Sequence, residues 1–72
     1  MEINAKEIGQ RIKALRKGKG LTREGFAESV GLTVSAVRKI EIGDRVPSID
    51  TLVLLSGFFE VSLDFLVLGN RC

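Results

Sequence analysis

Residues 22–42 read TREGFAESVGLTVSAVRKIEI, and this segment carries two short amphipathic patterns on either side of a glycine. Thr22 and Thr33 each follow a leucine and precede an apolar residue four positions further on, which is typical of a helix N-cap with a hydrophobic staple. Gly31 lies between the two patterns, where a left-handed C-terminal cap would end the first helix. The segment therefore predicts two helices of about eight to ten residues joined by a tight turn.

The same start and stop signals recur along the rest of the chain. The other capping residues are Asn4, Ser48 and Ser62. Glycines at 18, 20, 43 and 69 stand where further helices would end. No alternating run of strand length competes, so we expect an all-α fold, a compact five-helix bundle in a single domain of residues 1–72. The expected helices lie at about residues 5–18, 23–30, 34–42, 49–59 and 63–68.

Each predicted helix carries one apolar stripe at helical spacing, which indicates a face that packs into a core. We expect the following residues to form that core: Ile8, Ile12, Leu15, Phe26, Ala27, Val30, Val37, Ile40, Leu52, Leu55, Phe59, Leu63 and Leu66. Ala27 is small where the helices of the central segment would cross. The stripe residues are thus assigned to packing rather than to a ligand site.

Composition excludes most kinds of catalysis. The 72 residues include no histidine and one cysteine, and no glycine-rich phosphate loop is present. A chain this short buries only about 60% of the surface that its unfolded form exposes, which leaves little room for a deep pocket. We therefore expect no enzyme, no metal and no cofactor.

Targeting signals are also missing from the sequence. The longest apolar stretch, residues 49–68, is interrupted by Asp50, Glu60 and Asp64, so two helices fit it better than one membrane span. No charged start leads into an apolar core as in a secretory signal. The single Cys72 has no partner for a disulfide or a metal site, and a free terminal thiol fits a reducing compartment. We expect a cytoplasmic protein that makes no membrane contact.

Charge is distributed unevenly although the net charge is only +2. Residues 1–45 hold ten lysines and arginines against six acids, whereas residues 46–72 hold one against three. A basic half attracts a polyanion, but an excess of this size is also common on a solvated surface. The imbalance suggests that the two halves have different roles.

Ordered motifs continue from Ile8 to Gly69. They are IGxRIxxLRKxKGLT from Ile8, FAxxVG from Phe26, VxxIExG from Val37, RxPSxxTL from Arg45 and VSLDxL from Val61. In order and spacing the chain resembles the phage repressor/Cro-type (xenobiotic-response-element-like) helix-turn-helix family. The resemblance implies a lambda-repressor-like DNA-binding domain that regulates transcription, most simply a dimeric repressor of a short palindromic operator in double-stranded DNA.

The resemblance implies that the third helix enters the major groove while the second lies over the DNA backbone. Setting Val37 and Ile40 inward turns the opposite face of the third helix outward. The expected base-reading residues are Val34, Ser35, Ala36, Arg38 and Lys39. The expected phosphate contacts are Thr22, Arg23, Thr33, Ile42, Arg45, Lys17 and Lys19. An ordinary solvated helix face is the alternative for the charged members.

Two positions depart from the family's pattern, and one pair follows it. Val34 stands where the family usually carries a polar residue, often glutamine, and could instead pack against a thymine methyl group, as could Ala36. Arg23 replaces another common glutamine. Arg16 and Glu41 match a pair that ties the first helix to the end of the third, so we expect a structural ion pair there.

Extra apolar residues on the last two helices predict a second buried surface. Leu54 and Phe58 lie one turn apart, on the side opposite the expected core stripe. We expect a dimer interface formed by Leu54, Phe58, Phe65 and Val67. The alternative is that the phenylalanines complete a small core. If the dimer interface forms, Gly57 would mark a close backbone approach beside it, and Gly25 has no structural explanation.

Two other interpretations stay open. The chain could be an antitoxin or another protein-interaction module that also binds its own promoter, and the apolar surface on the last two helices favours such a partner. The 72 residues could also be one domain of a longer regulator. Recognition of an operator depends on the outward side chains of the third helix, on DNA deformability and on half-site spacing.

Overall fold

The computed structural model describes residues 3–70, and within that range the chain forms five α-helices and no strand. The helices are α1 (Ala5–Gly18), α2 (Arg23–Val30), α3 (Val34–Ile42), α4 (Ile49–Phe59) and α5 (Leu63–Leu68). The predicted all-α fold of five helices is confirmed. Cys72 lies outside the described residues. No helix within residues 3–70 has the length and hydrophobicity needed to cross a lipid bilayer.

Side-chain caps begin the helices at the residues that the sequence predicts. The side chains of Asn4, Thr22, Thr33, Ser48 and Ser62 each accept a hydrogen bond from a backbone N–H of the first turn. Glycines in the left-handed conformation end α2, α3 and α5, whereas α4 ends at Glu60, whose φ is +56°. A non-glycine residue in this conformation carries a backbone cost, so the end of α4 is the least favourable of the caps.

The core forms where the apolar stripes of the five helices meet. Its buried members are Ile8, Ile12, Phe26, Ala27, Val30, Val37, Leu52, Leu55, Phe59 and Leu66. All ten belong to the predicted stripes. Leu15, Ile40 and Leu63 were also expected inside, but they are only partly buried and pack against the edge of this cluster. In a domain this small a residue at either end of a stripe reaches the surface.

A close crossing of α1 and α3 brings the first helix against the back of the third. A Cβ atom built on Gly9 would lie 2.7 Å from the carbonyl oxygen of Glu41 and would overlap that of Ile40. Glycine is therefore required for this helix spacing. Arg11 secures the other end of the fold, because its Nη1 donates to the carbonyl oxygens of Leu66 and Val67 at 3.0 and 3.1 Å.

Three phenylalanines join α2 to α4. The ring centroids of Phe26 and Phe58 are 5.7 Å apart, those of Phe26 and Phe59 are 5.3 Å apart, and those of Phe58 and Phe59 are 5.1 Å apart. The expectation that Phe58 faces away from the core is wrong. Phe58 lies beside the stripe rather than opposite it, because consecutive residues are only 100° apart around a helix.

Candidate nucleic-acid interface

Helix α3 presents one face to the core and the other to solvent. Val37 and Glu41 are buried, whereas Val34, Ser35, Arg38, Lys39 and Ile42 are exposed and Ala36 is half-buried. These six outward residues include every base-reading position expected from the sequence. The exposed face therefore offers aliphatic groups at its N-terminal end and two cations in its centre.

Hydrogen bonds hold both helices of the central segment at their N-termini. Thr22 Oγ1 accepts from the N–H of Gly25 at 3.0 Å, and Thr33 Oγ1 accepts from the N–H of Ala36 at 3.0 Å. The turn between the helices is closed by the N–H of Leu32, which donates to the carbonyl oxygen of Ala27 at 2.9 Å. Helix N-termini carry partial positive charge, so both ends suit an anionic phosphate.

A buried carboxylate joins three parts of the fold. Glu41, whose side chain is 1% exposed, accepts from Arg16 Nε at 2.6 Å and from Arg16 Nη2 at 3.3 Å. Arg16 Nη1 also donates to the carbonyl oxygen of Leu21 at 2.7 Å, just before α2 begins. The structure thus brings together the two residues expected to pair. Their contacts connect α1, the start of α2 and the last turn of α3.

Arg23 is placed differently from a free phosphate-binding cation. Its Nε donates to Glu41 Oε1 at 3.2 Å, and its side chain is 39% exposed. The positive charge that arginine adds here, in place of the glutamine common in the family, is therefore partly compensated by Glu41. The side chain stays partly exposed at the first residue of α2, where the helix N-terminus also attracts an anion.

A shallow groove of about 430 Å³ runs between the exposed side of α3 and the start of α4. Its lining residues are Leu32, Ala36, Lys39, Ile40, Arg45, Val46, Pro47, Ser48 and Thr51. The groove brings together Lys39, predicted to read bases, and Arg45, predicted to contact phosphate. Ser48 and Thr51 were not predicted for the site. Only the capping role of Ser48 was visible in the sequence, and it places the N-terminus of α4 against the groove.

The remaining predicted cations differ in their surroundings. Within residues 3–70, Lys17, Arg38, Lys39 and Arg45 are exposed and form no ion pair. The Nζ atom of Lys19 lies 5.4 Å from the ring centroid of Phe58, a cation–π contact that holds it against α4. Lys19 is therefore engaged in the fold, unlike the cations of α3.

The expected dimer residues do not form one exposed patch. Leu54 is 44% exposed, but Phe58, Phe65 and Val67 are partly buried, and Phe58 and Val67 pack against the core. Ile49 and Val53, which were not predicted, are exposed beside Leu54 on α4. An added Cβ at Gly57 would have no neighbour within 4 Å among the described residues, so no close approach within residues 3–70 explains this glycine. We call Ile49, Val53, Leu54 and Gly57 the outer face of α4.

Comparison with known sequences identifies the architecture. The sequence profile of the family described as Helix-turn-helix matches residues 12–66. The HTH-type transcriptional regulator YazB of Bacillus subtilis, an uncharacterized protein, is 43% identical over 62 residues, which are 86% of this chain and 90% of YazB. The chain spans about half the length of several other curated relatives that it matches.

Solved structures agree with the sequence comparison. The P22 c2 repressor protein, solved with a synthetic operator, superposes with a TM-score of 0.81 at 28% identity, over 88% of this chain and 96% of the repressor chain. The biofilm master regulator SinR, solved with DNA, superposes with a TM-score of 0.75 at 40% identity, over 82% and 95%. The resemblance found in the motifs is confirmed, and the chain belongs to the helix-turn-helix family.

Proposed function

We propose that this protein is a sequence-specific double-stranded DNA-binding regulator of transcription that acts as a dimeric repressor on a short palindromic operator. The observation that carries the proposal is α3 itself. Its inner side is fixed by buried Val37 and by the Arg16–Glu41 pair, and its outer side carries Arg38 and Lys39, which have no acidic partner among residues 3–70. A rigid helix with accessible hydrogen-bond donors is the arrangement that reads the major groove.

Each exposed group has a distinct role in this mechanism. Arg38 and Lys39 donate to guanine O6 and N7 or to phosphate, and Ser35 can pair with several base edges. Arg45, across the groove from α3, contacts the DNA backbone together with Thr22 and Thr33 at the helix N-termini, which sets the register of the domain. Such a protein works in the compartment that holds the DNA, the cytoplasm.

Dimerisation supplies the second half-site. One helix-turn-helix unit reads one half-site, and a two-fold dimer places two recognition helices about 34 Å apart on one side of the duplex. The outer face of α4 supports this assembly, because Leu54 is exposed there next to Ile49 and Val53. Phe58, Phe65 and Val67 keep partly accessible side chains and are the further candidates for the dimer interface. Repression then follows from occupation of a site that overlaps a promoter.

The experiment that tests sequence-specific binding is selection of bound sites from random DNA at two salt concentrations. The parent is compared with Lys39→Ala, and Lys13→Ala on α1 is the control because it removes the same charge away from the proposed site. We expect a palindromic site whose specificity is relaxed by Lys39→Ala only. Recovery of no sequence preference, with weak and salt-sensitive binding, would contradict the proposal.

The dimer is tested separately by sedimentation. Leu54→Glu introduces a charge on the outer face of α4, and Ala14→Glu introduces the same charge on the exposed side of α1. We expect the parent and Ala14→Glu to sediment as dimers and Leu54→Glu to sediment as a monomer with weakened operator binding. A dimer that persists in Leu54→Glu would remove α4 from the interface.

A second candidate function uses the same face. The exposed apolar residues of α4 also fit a protein partner, as in an antitoxin that binds its own promoter. Co-expression with genes adjacent to its own, followed by purification, distinguishes the two. A stoichiometric heteromeric complex that Leu54→Glu abolishes would favour the antitoxin, whereas a homodimer alone favours the repressor.

A further inference from the structure

The N-terminal turn of α3 carries an aliphatic group where it meets solvent. Val34 is the first residue of the helix and is 39% exposed, although Val37, three residues later, is completely buried. In a helix-turn-helix protein the N-terminal residues of the recognition helix contact the base edges. Resting on the proposed function, we propose that Val34, supported by Ala36, reads the 5-methyl groups of thymines in each half-site.

The chemistry of α3 leaves few other ways to recognise an A·T pair. Adenine is read by the bidentate amide of asparagine or glutamine, and residues 34–42 contain neither. Arg38 and Lys39 are matched to guanine, which accepts two hydrogen bonds at O6 and N7. Among the groups that distinguish an A·T pair in the major groove, the thymine methyl group is the one that is read without a hydrogen bond. An exposed aliphatic side chain is complementary to it.

Folding does not explain a valine at this position. On an exposed helix position a straight-chain residue is more favourable than a β-branched one, because valine loses side-chain freedom against the preceding turn. The same restriction is an advantage for recognition. Its single preferred rotamer presents both methyl groups in a fixed direction, so little entropy is lost when they meet the DNA.

The backbone around Val34 is held from both sides. Thr33 Oγ1 accepts from the N–H of Ala36 at 3.0 Å, and the N–H of Val37 donates to the carbonyl oxygen of Thr33 at 3.1 Å. Before the helix, Gly31 adopts the left-handed conformation and Leu32 bonds back to Ala27. The valine therefore lies on a rigid turn. Discrimination of a single methyl group requires such a fixed position.

The test replaces thymine by deoxyuridine in the operator obtained by selection. This substitution removes the 5-methyl group and leaves every Watson–Crick hydrogen bond unchanged. At thymines beneath the start of α3 we expect affinity to fall about fourfold when one half-site is changed and about fifteenfold when both are changed. Thymines outside the half-sites should be insensitive to the replacement.

Protein variants assign the effect to the side chain. In Val34→Ala the ratio of affinities for thymine and deoxyuridine operators should approach one, because the methyl group has lost its contact. Alanine is a good helix former, so the fold is kept. The control is Val53→Ala on the outer face of α4, an equal truncation away from α3. It can change the overall affinity through the dimer, but the thymine-to-deoxyuridine ratio should stay as in the parent.

The outcomes separate this inference from the proposed function. If selection yields no operator, the proposed function fails. If an operator is found but no deoxyuridine replacement weakens binding, the function stands and methyl recognition is wrong. The same holds if the deoxyuridine effect persists in Val34→Ala, because the methyl group would then be read by another residue.

Discussion

Among single residues, Glu41 is the one whose partners are expected to contribute most to the free energy of unfolding. Its carboxylate is buried and is bound by both Arg16 and Arg23. In Arg16→Ala the carboxylate keeps only the weaker partner, so we expect the free energy of unfolding to fall by roughly 3 to 5 kcal/mol. In Arg23→Ala the main pair survives and the loss should be about 1 kcal/mol or less. Urea denaturation measures both, and equal midpoints for the two variants would contradict this ranking.

Gly9 is a second residue with a sharp requirement. An alanine Cβ would collide with backbone carbonyl groups of α3, which cannot rotate away as a side chain can. We expect Gly9→Ala to lower the free energy of unfolding by about 1–3 kcal/mol or more, through displacement of α1 from α3. Gly18→Ala is the matched control, because no neighbour in the described part of the chain lies within 4 Å of an added Cβ there. Thermal unfolding of Gly18→Ala should match or slightly exceed that of the parent, and equal loss in both variants would contradict the close crossing.

The sequence revealed only part of this residue-scale detail. The Arg16–Glu41 pair was expected because family motifs place both residues. The contact of Arg23 with the same carboxylate was not, because it depends on how the start of α2 meets the end of α3. Side chains at positions 23 and 41 are distant in the sequence, and no local pattern reports their 3.2 Å separation.

At the scale of elements, α4 ends in a strained backbone conformation that a substitution can relieve. Glu60 takes the left-handed conformation that glycines adopt at the ends of α2, α3 and α5. Glu60→Gly should raise the free energy of unfolding by about 1 kcal/mol, since the steric cost of the Cβ disappears. Glu28→Gly, within α2 and in ordinary helical conformation, should lower it by up to about 1 kcal/mol. Chemical denaturation that moves both variants in the same direction would contradict this interpretation.

The starts and ends of the helices were the features best predicted from the sequence. Capping is a local interaction between a side chain and the backbone two or three residues later, so Thr22 and Thr33 could be recognised without tertiary information. The direction of a face was harder to predict. Phe58 was assigned to the side opposite the core stripe, although its helical angle places it beside Phe59, and Phe26 of α2 covers it there.

For the whole molecule, the salt dependence of operator binding reports how many protomers bind the DNA at the same time. Binding of a cation to phosphate releases counterions, and each contact with B-DNA contributes about −0.9 to the slope of log K against log salt. Arg45 is exposed, unpaired within the described residues and adjacent to the start of α4. If each protomer places one Arg45 on one phosphate, Arg45→Ala should reduce the magnitude of the slope by about 0.9 for a monomer and about 1.8 for a two-fold dimer.

Salt titration of operator binding therefore tests both the contact and the assembly with one variant. Lys13→Ala serves as the control, because its charge lies on α1 outside the proposed interface, and its slope should equal that of the parent. A change near 1.8 in Arg45→Ala supports two symmetric half-sites. A change near 0.9 would contradict the dimer while keeping the phosphate contact, and an unchanged slope would remove Arg45 from the interface. Because Leu54→Glu is expected to produce monomers, combining it with Arg45→Ala should halve the slope change, which ties the outer face of α4 to the number of phosphates bound.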